Sequence, residues 1–591
     1  LNDPLAQQAR AMRPGVGGRV AFAAASLFLA AALVALLDRV GAPARLVSAL
    51  APAITLAALA IVGLTLQSMR VSAFLGADRR QGPVHVALGL AGLSLALVPP
   101  MAFPGSSGSG PALLVGLVVG VFLVGLGSGP LLRKSGAYSL SSLFGQRFAS
   151  PRLRFGSALV VAAVGALIAF VGFEGAARGV EEHLGVTRFS ASLIAGAVLL
   201  AVIVPGGLAG GSWSAAGGGL ALLAALLAPL AAHTMTGAPL PAPVIGDVGA
   251  WAAATARITR WSGGVDAGSF WTALTILGAA LGVAALAPLL SPMVACRRAR
   301  LAAPAGLMGL LAATALVCAL LIGMALAGLT LEARAIGRRP EALPAFMYAM
   351  SDLRLMTVCG EFVNTPRAAA LACAKAPGFG GLLGAEHVWA SGRALMERVP
   401  HVAGLSAFFV GLVGAGFIAV ALALAAAGAQ TFSTAVGDDL FKRDGRAGLT
   451  SRRLAIARII MILLTVYLAM RGAAAPQSLQ NALSMALLLS AAALAPLMAL
   501  CVWPRATETD ALIAGGVGLA ACALTAALAW RGGAFDLAVM CGGGVAGFVT
   551  ALVAGVGVSL RRTEDQARLG RMFVQNLFQG DEDVIAVDKG A

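Results

Sequence analysis

Apolar residues in this chain come in runs of about twenty, separated by short stretches of Gly, Pro and Arg. The runs lack strict apolar–polar alternation, so they read as helices and not as barrel strands. About twenty apolar residues span a hydrocarbon core of about 30 Å. Fourteen spans are expected, at about 19–37, 47–69, 84–103, 111–132, 155–178, 190–205, 212–232, 271–294, 304–330, 405–437, 454–470, 478–501, 510–529 and 537–559. The stretch Leu405 to Arg443 stands out among them. It begins as a wholly apolar helix, gathers Gln430, Thr431, Ser433 and Thr434, and closes on Asp438, Asp439, Lys442 and Arg443. Lipid solvates hydroxyls and amides poorly, so that end is expected to face the bundle or a cavity.

Spans three to seven and eight to twelve form two sets of five. Five is odd, so the second set enters the membrane from the opposite side. That predicts an inverted repeat, in which the first helix of each set is broken near a binding region. Span three carries Pro99 and Pro100, and span eight carries Pro288, Ser291 and Pro292. Each proline interrupts a regular helix. The alternative is an ordinary kink or helix end.

Composition agrees with this architecture. Of 591 residues, 59% are hydrophobic and 12% charged, and the mean hydropathy is +0.89. A soluble domain carries about 25% charged residues. The fold class is therefore an all-α polytopic membrane protein. The net charge of +16 does not imply nucleic acid, because most of the 42 basic residues fall in short loops on alternate sides of the spans. That is the positive-inside pattern, and it places both termini in the cytoplasm of a bacterial inner membrane. The first apolar run, Val20–Leu37, is read as a retained span and not a signal peptide. The expected organisation is a cytoplasmic N-terminus with two extra spans (1–83), a ten-helix core (84–501), two C-terminal spans (502–560) and a cytoplasmic tail (561–591). A long external loop, 331–404, interrupts the core. Within it, Glu341–Phe362 could lie as a surface helix. The tail from Arg561 has an apolar face of Leu569, Met572, Phe573 and Leu577 at helical spacing. Four tryptophans near span ends, Trp213, Trp271, Trp503 and Trp530, fit an aromatic belt.

Few residues carry chemistry. None of the four lysines lies in a GxxxxGK loop, so ATP-driven transport by this chain is not expected. No HExxH, paired CxxC or GxSxG in a loop suggests an enzyme, and no metal or cofactor site is expected. Cys359 and Cys373 share the long loop and could form a disulfide in an oxidising compartment or stay free thiols. Charges inside spans are costly and therefore informative. Glu174 could bind a cation or proton, or pair with Arg178. His85 is an interfacial residue or a proton relay. Asp438 and Asp439 oppose their helix dipole. They should be compensated by Lys442, Arg443 or Arg446, with a gate ion pair as the functional version.

Four segments together resemble the sodium/solute symporter family, and among its branches the acetate permeases. LLRKSGAYSLSSLFGQRF (Leu131–Phe148) is similar to the family's cytoplasmic loop. VPGGLAGGSW (Val204–Trp213) resembles the turn between core helices four and five. Ala427–Arg443 resembles the end of core helix eight, and Arg562–Gln579 the acetate-permease tail. The resemblance implies a LeuT-like five-plus-five fold and cation-coupled uptake, by Na+ or H+, of a small solute such as a short monocarboxylate. It implies Ser94, Pro99, Pro288, Ser291, Gln430, Thr431, Ser433 and Thr434 as candidates for solute or ion binding, with Glu174 and His85 as possible charge relays. The chain departs from the family at the two hydroxyl positions that hold sodium, which fall on Ala423 and Leu424. Neither offers oxygen to a hard cation. The expected partners are a small solute and the lipid bilayer, with a further subunit left open. The reading that competes with transport is a sensor or partner subunit that kept the fold and lost the site.

Overall fold

The computed structural model describes residues 29–67, 70–102, 110–235, 269–352, 356–390, 405–440, 450–474, 479–532 and 536–560, with a few isolated residues between 249 and 400. Most of the first expected span lies outside the described residues. So do Lys442, Arg443, Arg446 and the tail from Arg561. Among the described residues, eleven helices are long and apolar enough to cross a membrane, or twelve with one bent pair. We number the helices α1 (Ala44–Thr65), α2 (Pro83–Ala102), α3 (Gly110–Ser135), α4 (Pro151–Leu184), α5 (Arg188–Met235), α6 (Ser269–Ala284) and α7 (Ala287–Val294). Next come α8 (Ala302–Ala335), α9 (Ala407–Thr434), α10 (Thr450–Ala474), α11 (Leu479–Val502), α12 (Glu508–Arg531) and α13 (Leu537–Ser559). The chain is a multi-pass membrane protein. The full count of fourteen is not reached among these residues.

Helix α5 is 48 residues long, more than twice a membrane span, and contains the expected turn. Gly207 has φ 53° and ψ −134°, and a Cβ on Gly210 would strike the Val202 carbonyl. The chain folds back there. A Cβ on Gly207 itself would strike Phe74, so glycine serves both the turn and the close approach.

The expected break of the eighth span is present. Helices α6 and α7 meet at 46°. The cause is Pro288, which has no N–H for the Ala284 carbonyl. Ser128 Oγ donates to that carbonyl instead, at 2.7 Å. Pro292 similarly frees the Pro288 carbonyl, which the Ser291 hydroxyl takes at 2.7 Å. The expected break of the third span is not found. Over its described length, Pro83 to Ala102, helix α2 is one helix that includes both prolines. Pro99 and Pro100 withhold two hydrogen bonds and do not divide the described span.

The core is built by helices that approach through small residues. Helix α4 lies along α9, and Cβ atoms on Gly165, Gly172 or Gly428 would collide with the backbone of the facing helix. Backbone-close contact of this kind drives helix association in lipid, where burial of apolar surface gives little. Helices α2 and α11 are central, each with 78% of its most apolar stretch buried, against 22% for the peripheral α12.

The 331–404 segment is folded. It holds a helix at Ala345–Asp352, a helix at Pro366–Ala374, and strands Met356–Val358 and Val388–Ala390 paired antiparallel. A disulfide joins Cys359 to Cys373. Glu341–Phe362 is therefore not one surface helix: after Asp352 and the undescribed residues 353–355, its chain enters the strand.

Arginines close the carbonyl ends of several helices. Arg133, 1% exposed, donates to the Cys296 carbonyl at 2.8 Å and the Arg297 carbonyl at 3.3 Å, just past α7. Arg147 donates to the Cys501 and Trp503 carbonyls at the end of α11, both at 3.0 Å. Burial pushes its pKa below the ordinary arginine value. Arg458 reaches the Val204 carbonyl before the Gly207 turn, at 3.0 Å, and Arg188 the Gly472 carbonyl in the last turn of α10, at 2.9 Å. Replacing Arg147 with Leu leaves two buried carbonyls unpaired. A hydrogen bond to a charged group contributes about 1.5–3 kcal/mol. We therefore expect R147L to lower the thermal unfolding midpoint of the detergent-purified protein by several degrees, with R147K recovering part of the loss. An unchanged midpoint for R147L would show that this capping is not needed.

Candidate functional site

Helices α4 and α9 form a wall with a cavity toward each end. The larger cavity, about 400 Å³, lies on the side of the folded loop. Its walls include Ala96, Pro99 and Pro100 of α2, Val171, Gly172 and Gly175 of α4, and Val413, Phe417 and Ala421 of α9, with Gly392 and Met396 from the loop segment. The missing N–H groups of Pro99 and Pro100 free the carbonyls of Leu95 and Ala96 at this wall. Its polar groups are Arg178, Glu182, His183 and Gln480.

The smaller cavity, about 30 Å³, lies toward the opposite side. Ser291 of α7 and Gln430, Thr431 and Thr434 of α9 line it, together with Tyr138 and Ser139. A neighbouring void of about 10 Å³ touches Leu93, Ser291, Ala423, Ala427 and Gln430. Between the two larger cavities the bundle is apolar: Leu93, Leu97, Ala423 and Leu424 are all buried.

Under the smaller cavity lies a polar floor that centres on Asp439. Helix α9 passes at its end into a wide π turn, Ala435–Leu440, which carries this residue. Asp439 is 5% exposed. It accepts hydrogen bonds from Ser139 Oγ at 2.6 Å and Ser141 Oγ at 2.5 Å. Arg154 Nε stands 3.8 Å from the carboxylate, and its Nη2 donates to the Asp439 carbonyl at 3.1 Å. Ser139 is also the N-cap of the short Leu140–Arg147 helix, where it accepts from the Ser142 amide at 3.1 Å. The local fold follows from this: one hydroxyl starts a helix with its lone pair and ties it to α9 with its proton.

The expected site residues divide among these places. Ser291, Gln430, Thr431 and Thr434 converge on the small cavity, while Pro99 lines the large one. Pro288 lines neither and acts at the α6–α7 break. Ser94 is buried and donates back to the Leu90 carbonyl at 2.7 Å. Ser433 faces α10, where it donates to the Ala457 carbonyl at 2.9 Å. Among the described residues no single polar cavity joins Pro99, Pro288 and Gln430.

The expected relays are engaged structurally. Glu174 is fully buried and pairs with Arg178 at 2.9 Å, as one reading had it, and also with Arg188. Arg188 also bonds Glu181 at 3.3 Å, so two guanidiniums and two carboxylates form one cluster at the α4–α5 corner. His85 lies 3.4 Å from Ser212 Oγ and packs edge-on to Trp213, with ring centroids 4.3 Å apart. Both partners are neutral, and the contact with Trp213 fixes the place of the ring. Among the described residues the partners of Asp439 include Ser139, Ser141 and Arg154, while Lys442, Arg443 and Arg446, expected to compensate it, lie outside them. That floor was missed from the sequence alone, although Ser139 and Ser141 fall in one of the segments that carried the family resemblance.

No protein-family model matches the chain, and no curated protein matches it. Among solved structures, the chain resembles a Na+-coupled sialic acid symporter in a substrate-bound, outward-open state, at 14% identity and a TM-score of 0.60, over 87% of this chain and 97% of that one. Two more distant likenesses carry no argument. One is Mhp1, a nucleobase-cation-symport-1 family transporter, at 13% identity and a TM-score of 0.44 over 86% and 98% of the two chains. The other is a manganese transporter of Eremococcus coleocola, at 15% identity and 0.41 over 86% and 95%. The first likeness shows the fold, a LeuT-like transporter fold with its two five-helix repeats.

The floor is testable by itself. Cysteine placed at Ser291 should resist small thiol reagents applied from the side opposite the loop while Asp439 holds Ser139 and Ser141. Asp439→Ala should make that cysteine react faster, over the background of the native cysteines. Equal labelling rates would mean that Asp439 does not close the path.

Proposed function

We propose that this chain is a secondary active transporter that moves a small solute by alternating access. The observation that carries this reading is the pair of cavities on one α4–α9 wall. The wide one extends toward the loop side, and the narrow polar one is closed by a floor on the other. A chain in this state offers access from one side only, as alternating access requires. The likeness to a Na+-coupled symporter supports the reading through the fold. The Cys359–Cys373 disulfide supports placing the loop in an oxidising compartment, hence the outside of a bacterial inner membrane and both termini inside.

The solute class we put first is a short monocarboxylate such as acetate, driven by a cation. Arg178 is a guanidinium on the vestibule wall that suits a carboxylate, although it is already ion-paired with Glu174. The family positions for sodium do not fit that ion here. Ala423 and Leu424 are buried and present only hydrocarbon. The competing reading is a sensor or partner subunit on a transporter fold, and the apolar layer of Leu93, Leu97, Ala423 and Leu424 favours it.

Uptake of labelled acetate and pyruvate into proteoliposomes separates the two. The measurement runs under a sodium gradient, a proton gradient and neither. We expect gradient-driven, saturable uptake. Ala421→Trp, which fills the wide cavity, should reduce uptake to background without changing the elution profile of the purified protein. No uptake under any gradient, from protein shown to be folded, would favour the non-transporting reading.

A further inference from the structure

Three turns meet at the end of the bundle opposite the folded loop: residues 77–82 before α2, 133–137 at the end of α3, and 295–301 between α7 and α8. The Gln81 amide donates to the Ala295 carbonyl at 3.1 Å, and the Arg297 amide donates to the Gln81 carbonyl at 2.9 Å. Arg133 reaches the Cys296 and Arg297 carbonyls, and Arg79 reaches the Gly136 carbonyl. Arg79 and Arg133 thus tie the turns together. Arg80, Arg297, Arg298 and Arg300 are left at the surface, and all four are exposed. Among the described residues none of these four is ion-paired with a carboxylate. Asp78 is the one acid in the three turns, and it accepts from Ser72 Oγ at 2.8 Å.

The positive-inside rule puts arginines into such turns but does not bring the turns together. Here backbone bonds set like charges side by side at a membrane boundary, where a lower dielectric strengthens their repulsion. A bound anion offsets that repulsion. The backbone beside the patch is also unusual. Ala77, Asp78 and Arg79 have φ of 50°, 50° and 51°, in the left-handed region that residues other than glycine rarely enter. Such conformations persist where surrounding bonds fix them, and they cluster at binding sites.

Toward the membrane the patch continues into an apolar seam. Helices α3 and α8 approach so closely that a Cβ on Gly125 or Gly306 would strike the facing backbone. Phe122 and Leu126 of α3 and Leu307 and Leu311 of α8 are exposed beside that contact. A π turn, Val124–Ser128, widens α3 there, and a Cβ on Gly127 would meet nothing within 4 Å. Arg300 precedes Gly306 by six residues. At about 1.5 Å per residue that is about 9 Å along the axis. The headgroup layer adds about 5–7 Å to each side of the hydrocarbon core. The guanidiniums therefore stand at headgroup depth when the seam lies among the upper acyl carbons.

We propose that this patch and seam bind an anionic phospholipid, with its phosphate on Arg297, Arg298 and Arg300, Arg80 beside them, and its acyl chains along the α3–α8 seam. Guanidiniums match phosphate oxygens through paired N–H donors. Basic pockets between membrane helices take anionic headgroups in the same way. The ligand is a phosphodiester with apolar tails, of the phosphatidylglycerol class. The site is separate from both cavities, and binding there does not depend on transport.

The test is native mass spectrometry of the detergent-purified full-length protein, titrated with phosphatidylglycerol or with phosphatidylcholine. Wild type should retain phosphatidylglycerol and not phosphatidylcholine. The triple variant Arg297→Gln, Arg298→Gln, Arg300→Gln should weaken that retention by roughly tenfold or more. A control triple, Arg152→Gln, Arg452→Gln, Arg505→Gln, removes the same charge from exposed residues elsewhere on that side and should leave retention unchanged. Each variant is first shown to be monodisperse, which separates a lost ligand from a lost fold. Arg80→Gln alone is the second, milder variant, and it should weaken retention several-fold. A parallel arm follows the thermal unfolding midpoint, which phosphatidylglycerol should raise and inorganic phosphate should not. Equal losses in the two triples would overturn the site and leave only diffuse attraction to charge. So would equal retention of phosphatidylcholine. A midpoint raised equally by inorganic phosphate would overturn the lipid in favour of a free anion.

Discussion

The free carbonyls at the ends of helices constrain this fold more than any other group. A helix leaves its last four carbonyls without internal partners, and neither lipid nor a packed interface offers donors. Arginine answers this repeatedly. Arg133 closes the end of α7, Arg147 that of α11, Arg458 the first half of α5, and Arg188 that of α10. Arg154 does the same for the π turn that ends α9. In each case a long side chain from one helix or loop reaches the terminus of another. The bonds therefore set how the helices sit against each other as well as satisfying their ends. The wide turn that carries Asp439 depends on this, because Arg154 holds its backbone and approaches its carboxylate.

The second constraint is the closeness of α4 and α9. Glycines at 165, 172 and 428 let the two backbones meet, and any Cβ there would push them apart. The result is a rigid wall shared by both cavities. On one side of the apolar layer its small residues leave the wide space around Gly175 and Ala421. On the other side Gln430, Thr431 and Thr434 close in. Both compartments thus derive from one helix whose composition changes along its length, from Gly and Ala to amide and hydroxyl.

Much of this was legible in the sequence. The apolar runs, the break caused by Pro288, the reversal at Val204–Trp213, the Cys359–Cys373 pair and the polar end of α9 all come from local chemistry, which one sequence records. What was not legible depends on partners distant in the chain. Glu174 suggested Arg178 one turn on, but the pairing with Arg188 needs the α4–α5 corner. Asp439 suggested the basic residues beside it, which lie outside the described residues, and gave no hint of its bond to Ser139, 300 residues earlier. Pro99 and Pro100 suggested a broken helix because a proline pair is a strong local signal. Its effect depends on the packing around it, and α2 runs through both prolines to Ala102, the last described residue of this segment.

The same packing indicates which parts can move if the chain transports. The α4–α9 contact runs backbone to backbone, so sliding one helix along the other would drive glycine positions into facing Cβ atoms. Helix α2 meets α9 differently. Leu93 stands opposite Ala423 and Ala427 across a void of about 10 Å³, and alanine methyls interdigitate little. A shift of α2 there needs few rotamer changes. Helix α7 is short, is already separated from α6 by a 46° bend, and is tied to the start of α2 by the bonds between Gln81 and residues 295 and 297. Against α9, then, α2 and α7 make looser contacts than α4 does, while α2 is held to α5, where a Cβ on Gly92 would strike the Ala215 carbonyl. Ser291 belongs to α7 and Gln430 to the wall, so any movement of α7 would change the small cavity directly.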